Sequence, residues 1–366
     1  MIGSLASCWI VVHAAAGVGG GERDEPARPA EPDATYTLTL QTSPRLRVAA
    51  ELTVRGDADG SSAFSAAPTW GGIDHCARFL HELAFLADGT PVAAEHPLET
   101  AWVVSHAPGA TLTARWFLDP LTEPLDAKLG NDYRPMVAPK LFHLLGETGL
   151  LTPDALDGEV VRRIRFTWKG FAEAGWQFAS SFGDATEFTR DGTLATFKHA
   201  VFIAGDVRRY SRELHGTRLL FALYGAGYSF SDDALVELGT RVITAERDFF
   251  ADWSDPLFVV TLIPEERPNL QSLGGTGLTD SFSLFMSKGM SLKPGSDDAA
   301  RIAHLLAHEY FHHWNGGKIK LEEQEALGYW FSERFTDFFA RRILLRSGIF
   351  DPPEYVRRLN ESLERY

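Results

Sequence analysis

The chain has 366 residues, 45% of them apolar and 25 of them phenylalanine, which is ample for packed cores and long for one average domain. Its net charge of −14 comes from 49 acidic against 35 basic residues, with no Lys/Arg run to grip phosphates, so nucleic acid is excluded as an expected partner. Cys8 and Cys76 are the only cysteines, which leaves neither a disulfide framework nor a Cys-ligated zinc site, and Cys76 is expected to be a lone buried thiol.

Residues 1–20, MIGSLASCWIVVHAAAGVGG, carry no Asp, Glu, Lys or Arg. They read as a possible signal peptide with a small-residue cleavage site after Ala16, although the basic n-region is missing. Export to the periplasm, cell envelope or exterior is the expectation if that segment is a signal, and a cytoplasmic location otherwise. A membrane anchor is the third reading. No other stretch reaches the ~18 uncharged apolar residues of a transmembrane helix. Residues 21–34 are charged and Pro-rich and read as a linker.

From Thr35 the apolar period becomes two. TYTLTLQ (35–41), RLRVAAELTVRG (45–56), AWVVSHA (101–107), TLTARWFL (111–118) and RRIRFTW (162–168) read as strands, the last with Ile164, Phe166 and Trp168 on one face. Turn signals separate them, and Arg55–Asp57, an RGD, is expected to be one such turn. Residues 35–205 are therefore expected to form an N-terminal, antiparallel β-sandwich-like domain. Residues 206–366 change character to α+β. RLLFALYG (218–225) and LFVVTLIP (257–264) are continuous apolar runs, as in strands covered on both faces. Between them a helix capped by Ser231 should bury Leu235, Leu238, Val242, Ala245 and Phe249.

Residues 296–314, SDDAARIAHLLAHEYFHHW, read as a helix with Ser296 as cap and two acids in its first turn. His308 and His312 are four residues apart, so both rings project from one face and can reach one metal ion. Glu309 lies beside them, placed to touch a metal-bound water without occupying the metal. This H-E-x-x-H spacing supplies two ligands and a general base. An aromatic-rich core helix carrying histidines by chance is the other reading. A zinc site needs a third ligand. In YWFSERFTDFFARRILLRSG (329–348), a second helix with Phe335, Phe338 and Phe339 as its apolar stripe and Gly348 as its stop, Glu333 can supply it. Asp337, one turn on, can orient a ligating histidine. Ordinary surface acids are the other reading of that pair. His313 points about 100° away around the helix and is expected outside the first ring of ligands.

HEYFHHWN followed by YWFSERFTDFF resembles the glycyl aminopeptidase family of gluzincin zinc metallopeptidases. The resemblance implies an α+β protein in which the β-rich domain precedes a thermolysin-like catalytic domain. It implies Zn2+ held by His308, His312 and Glu333, Glu309 as base, Asp337 behind the ligands, and a peptide or protein substrate. Arg334 stands where that family usually has Gly. The family's Gly-Gly-x-Glu-His segment, whose Glu holds the substrate's free amino terminus, is here GGTGLTDSFSLF (274–285), with Gly277 at the Glu position and Leu278 at the His position. Gly274, Gly275, Thr276 and Gly277 are expected to pair with an extended substrate by their backbone. The missing anchor leans the reading toward an endopeptidase or an enzyme for blocked amino termini. The rival is a zinc-bearing scaffold that hydrolyses weakly or not at all. The end at Tyr366 is expected to leave the catalytic domain incomplete, and the oligomeric state is not legible.

Overall fold

The computed structural model describes residues 31–121, 132–265, 267, 270–319, 328 and 330–364. The leader and most of the linker read from the sequence, residues 1–30, lie outside these. Pro32–Tyr366 forms one compact unit. Among the described residues no helix is long and apolar enough to cross a membrane.

The amino-terminal half is built from strands whose alternate residues point inward. A seven-stranded sheet runs in the order Glu187–Gly192, Arg162–Lys169, Ala34–Gln41, Arg47–Arg55, Thr111–Leu118, His81–Ala87, Thr90–Val92. Tyr36, Leu38, Leu52, Trp116, Ile164, Phe166 and Trp168 form its buried face. Two four-stranded sheets and a two-stranded ribbon complete this half. One expectation is corrected here. Ala34–Gln41 pairs with Arg162–Lys169 in parallel, Tyr36 opposite Phe166 and Leu38 opposite Trp168, so the large sheet is mixed rather than wholly antiparallel. Strands so far apart in the chain are not joined by a hairpin, and nothing local dictates their direction.

The carboxy-terminal half carries a five-stranded sheet. Its members are β1 (Arg208–Leu214), β2 (Thr217–Leu223), β3 (Leu257–Pro264), β4 (Leu273–Leu278) and β5 (Ser281–Met286), in the order β1-β2-β3-β5-β4. β3 lies parallel to both its neighbours and is buried from Phe258 to Ile263, as strands covered on both faces are. β4 runs antiparallel to β5 at the sheet's edge. α1 (Asp232–Phe250), α2 (Asp297–Phe311) and α3 (Thr336–Arg346) share one core with this sheet, and α4 (Pro352–Leu363) packs on α3. Ser231 and Ser296 cap α1 and α2 by accepting from Ala234 N and Ala299 N, as expected. A small cluster that includes Leu141, Ile203, Val259 and Phe285 joins the strands of the two halves.

Two apolar stripes differ from expectation. α1 buries Leu235, Val236, Gly239, Val242 and Ile243 together with Glu246 and Arg247, while Phe249 is exposed. The buried face therefore includes two ionisable residues that hydropathy would place outside. α3 is preceded by a wide π turn, Trp330–Phe335, which adds a residue to the helical repeat. The buried side of α3 becomes Thr336, Ala340, Ile343 and Leu344, leaving Phe335 and Phe338 about 40% exposed.

Candidate metal centre

α2 ends at Phe311, three residues before the sequence pattern suggests. His312 is its C-cap, and the chain then turns back, with Gly317 N donating to the His312 carbonyl at 3.1 Å. This places His308 and His312 on the last turn of α2, facing Glu333 in the π turn. His308 Nε2 is 3.2 Å from His312 Nε2 and 3.2 Å from Glu333 Oε2, and His312 Nε2 is 3.6 Å from Glu333 Oε1. Ligand atoms about 2.0–2.1 Å from a tetrahedral zinc ion lie roughly 3.3 Å from one another. The three side chains already stand at that spacing.

The far sides of the rings explain why. Nδ1 of His308 faces Asp337 Oδ1 at 3.0 Å, and Nδ1 of His312 faces the Asn315 carbonyl at 3.1 Å. With Nδ1 donating in both, each Nε2 presents a lone pair toward the other and toward the Glu333 carboxylate. Three lone-pair donors converge on one point, an arrangement a cation relieves. This donor set fits zinc.

Asn315, buried, fastens the two ligand-bearing elements together. Its Nδ2 donates to the carbonyls of Phe331 and Ser332 at 3.0 and 3.2 Å and to Thr336 Oγ1 at 2.9 Å. These bonds tie the end of α2 to the wide turn, and Glu333 is held at the height of the histidines.

Electrostatics follow from burial and charge. Burial alone would depress His308, but hydrogen bonds to Asp337 and Glu333 and the charge of Glu309 push it up to about 10. The field that retains a proton there would also hold a dication. Asp337, although burial raises it, is held well below the carboxylate range by His304, His308 and Arg341. Glu309 is pushed up to about 7 by burial, with His308 and the Gly277 N–H pulling the other way. Its Oε2 accepts from Gly277 N at 3.0 Å, so the edge strand β4 holds the carboxylate beside the ligands. His313 takes no part. Its ring faces Asp255 Oδ2 at 2.9 Å and stacks on Tyr310.

Of the four β4 residues expected to line a substrate, Gly277 is the one against the site. A Cβ at that position would lie 3.2 Å from the Glu309 carbonyl and 3.8 Å from the His312 Cβ. Gly275 must be glycine for another reason, since a Cβ there would strike the Phe282 ring at 2.3 Å. Gly274 and Thr276 point their backbone groups inward, to β5. Asp280 cannot stand in for the family's anchoring glutamate, because its carboxylate is paired with Arg190 at 2.7 Å. Sequence reasoning missed His304, whose Nε2 approaches Asp337 Oδ1 obliquely at 3.2 Å. Its four-residue spacing before His308 was the available signal. It also missed Tyr133 and His199, which reach β4 from far away in the chain and leave no local signal.

The fold agrees with comparisons to known proteins. The chain shares its fold with an aminopeptidase N family protein from Idiomarina loihiensis, at TM-score 0.70 and 17% identity over 88% of this chain and 56% of that one. It also matches Legionella pneumophila aminopeptidase A in complex with aspartic acid, at TM-score 0.54 and 11% identity over 86% and 37%. A third match is a variant of the M1 zinc metallopeptidase from Deinococcus radiodurans bound to a Tyr-Ser-Ala substrate, at TM-score 0.51 and 15% identity over 91% and 74%. The chain spans little more than half the length of the first of these and less of the second. No curated protein matches it. The fold is therefore one it shares with these peptidase structures. Residues 301–366, which carry the H-E-x-x-H helix and Glu333, match the M61 glycyl aminopeptidase family, and the resemblance read from HEYFHHWN is borne out there.

Proposed function

We propose that this chain is a zinc-dependent peptide hydrolase in which His308, His312 and Glu333 hold the metal and Glu309 is the general base. The observation that carries this reading is the convergence of three ligand atoms, all within 4.8 Å of one another, with a carboxylate clamped beside them by Gly277 N. A zinc ion in such a site lowers the pKa of a bound water and polarises a carbonyl oxygen. The residues do the rest. Glu309 takes the water's proton as the water attacks the peptide carbonyl, then delivers it to the departing amine. Gly277 N–H fixes which oxygen of Glu309 is left to do so. Asp337 and the Asn315 carbonyl hold the two imidazoles in the tautomer that leaves Nε2 for the metal.

The reading also extends to specificity. Position 277 faces the base and has no side chain, and Asp280 is already paired with Arg190. A carboxylate for the substrate's ammonium would contribute roughly 1.5–3 kcal/mol, about a tenfold to hundredfold preference for free amino termini. Without one, the expectation is a ratio within about threefold between a free and an acetylated peptide. The test uses the zinc-loaded chain on internally quenched peptides beside aminoacyl reporters. Glu309→Gln should lower kcat by about 10²–10⁴ while keeping its zinc. Equal loss of zinc in Glu309→Gln and Glu333→Ala would mean that base and ligand are confused. Cleavage confined to free amino termini would sink the endopeptidase-leaning part.

A further inference from the structure

The open edge of β4 is where an added peptide strand would pair, and its outward groups can be assigned. Ser287 N donates to the Ser272 carbonyl, which makes the even-numbered residues of β4 the ones hydrogen-bonded to β5. Gly277 N pointing instead to Glu309 agrees with this. Gly275 and Gly277 therefore turn both their N–H and their C=O away from the sheet. This chain's own groups occupy most of them. Tyr133 Oη donates to the Gly275 carbonyl at 2.8 Å, across 142 residues of sequence. At the His199 ring an interaction with the Gly277 backbone works against the depression that burial causes, and the His199 carbonyl accepts from Thr279 N at 2.6 Å. Trp70 packs edge-on to both Tyr133 and His199.

We propose that Tyr133 determines specificity by occupying the Gly275 carbonyl, so that a bound peptide gains no strand pairing one residue pair beyond the metal site. The inference rests on the peptidase reading above. Gly275 lies two residues from Gly277, roughly 7 Å along the strand from the contact with Glu309. A substrate residue at that point would need to donate its N–H to the Gly275 carbonyl, and Tyr133 holds that acceptor. Gly275 retains only its N–H facing the edge, half of what a paired residue uses. Recognition then falls on the residues flanking the scissile bond, and length beyond them contributes little.

Tyr133→Phe separates the hydroxyl from the ring, whose packing on Trp70 and Phe285 it keeps. The experiment measures binding of peptide hydroxamates with one residue, and with four residues extended to either side, to the zinc-loaded wild type and variant. Zinc content and thermal midpoint confirm that the variant is folded. Wild type should bind the one-residue and four-residue compounds with similar affinity on the Gly275 side. Tyr133→Phe should gain about three- to tenfold for the four-residue compound only. N-methylating the single amide aimed at Gly275 should abolish that gain and leave wild type unaffected. The proposal is overturned if wild type already gains with length and suffers the N-methyl penalty, or if the variant shows no length-dependent change. Failure of a chain holding one zinc to bind any hydroxamate would instead overturn the peptidase reading, and this inference with it.

Discussion

Two clusters near the end of α2 look alike by distance. His308, His312 and Glu333 form one; Asp252, Asp255 and His313 form the other, and in each the ligand atoms lie within 4.8 Å of one another. They differ in what surrounds them. Lys318 Nζ sits 2.5 Å from Asp252 and 3.3 Å from Asp255, Arg247 Nη2 is 3.6 Å from Asp255, and Trp314 Nε1 donates to Asp252 at 2.8 Å. The second cluster's carboxylates are thus balanced by cations of the chain itself. Around the first stand the carboxylates of Glu309, Glu333 and Asp337, and Arg341 donates to Asp337 at 3.2 Å. Ligand spacing makes both possible metal sites, and only the charge balance separates them.

Metal binding offers the largest effect with which to break this comparison. The chain should hold one zinc and not two. Structural zinc sites with four ligands yield about 10–16 kcal/mol, so removal of one ligand costs roughly 3–4 kcal/mol, on the order of a hundredfold to a thousandfold in affinity. Glu333→Ala should show that loss in a chelator competition, while Asp255→Asn stays within about twofold of wild type. A second tight zinc that disappears in Asp255→Asn would show that spacing outweighs charge.

The next effect concerns adjacent residues of α1 that serve the two clusters unequally. Arg247, fully buried, reaches the second cluster. Glu246, also fully buried, feels the charge of His308, and neither of its oxygens has a hydrogen-bond partner among the described residues. Burial holds Glu246 well above the carboxylate range. Because the folded value is raised, its ionisation costs stability as pH rises above the unfolded value near ~4.3. Glu246→Met should stabilise the fold at pH 7 by about 1–3 kcal/mol, and the gain should shrink toward pH 4. A destabilised variant in urea at pH 7 would reveal an unrecognised partner.

Asp255 carries the opposite sign. The His313 hydrogen bond, opposed by burial and aided by Lys318, holds it down at about 2. Its stabilisation is therefore complete above the ordinary carboxylate value and lost as pH falls through about 2. Asp255→Asn should cost about 1 kcal/mol at neutral pH, a discounted figure for a quarter-exposed group, and the two proteins should converge in acid. A difference that persists below pH 2 would assign the cost to packing instead. The smallest effect is expected from Phe338→Ser. That ring is 42% exposed, so thermal unfolding should move by less than about 0.5 kcal/mol, against several times that for a buried stripe.

Local chemistry made much of this protein legible. Alternation placed Tyr36, Leu38, Ile164, Phe166 and Trp168 in a core, because a strand's side-chain period is fixed at two. Ser231 and Ser296 began their helices as read, because a cap is a contact between residues three apart. The four-residue spacing of His308 and His312 put both rings on one face for the same reason. Glu333 and Asp337, one turn apart, were read as partners of those rings, and they face them.

Tertiary structure decided the rest. Whether Ala34–Gln41 would run parallel to Arg162–Lys169 depended on a pairing across more than a hundred residues. The π turn that precedes α3 is tied to the end of α2 by Asn315, and hydropathy records no such contact. Nothing in the spacing of Asp252, Asp255 and His313 announced a second cluster, nor Lys318 as the charge that fills it. Tyr133 and Gly275 meet only because two separately built halves close on one edge strand. Periodicity reports which face of an element is buried; it carries no record of which distant hydroxyl, carboxylate or ammonium arrives at that face.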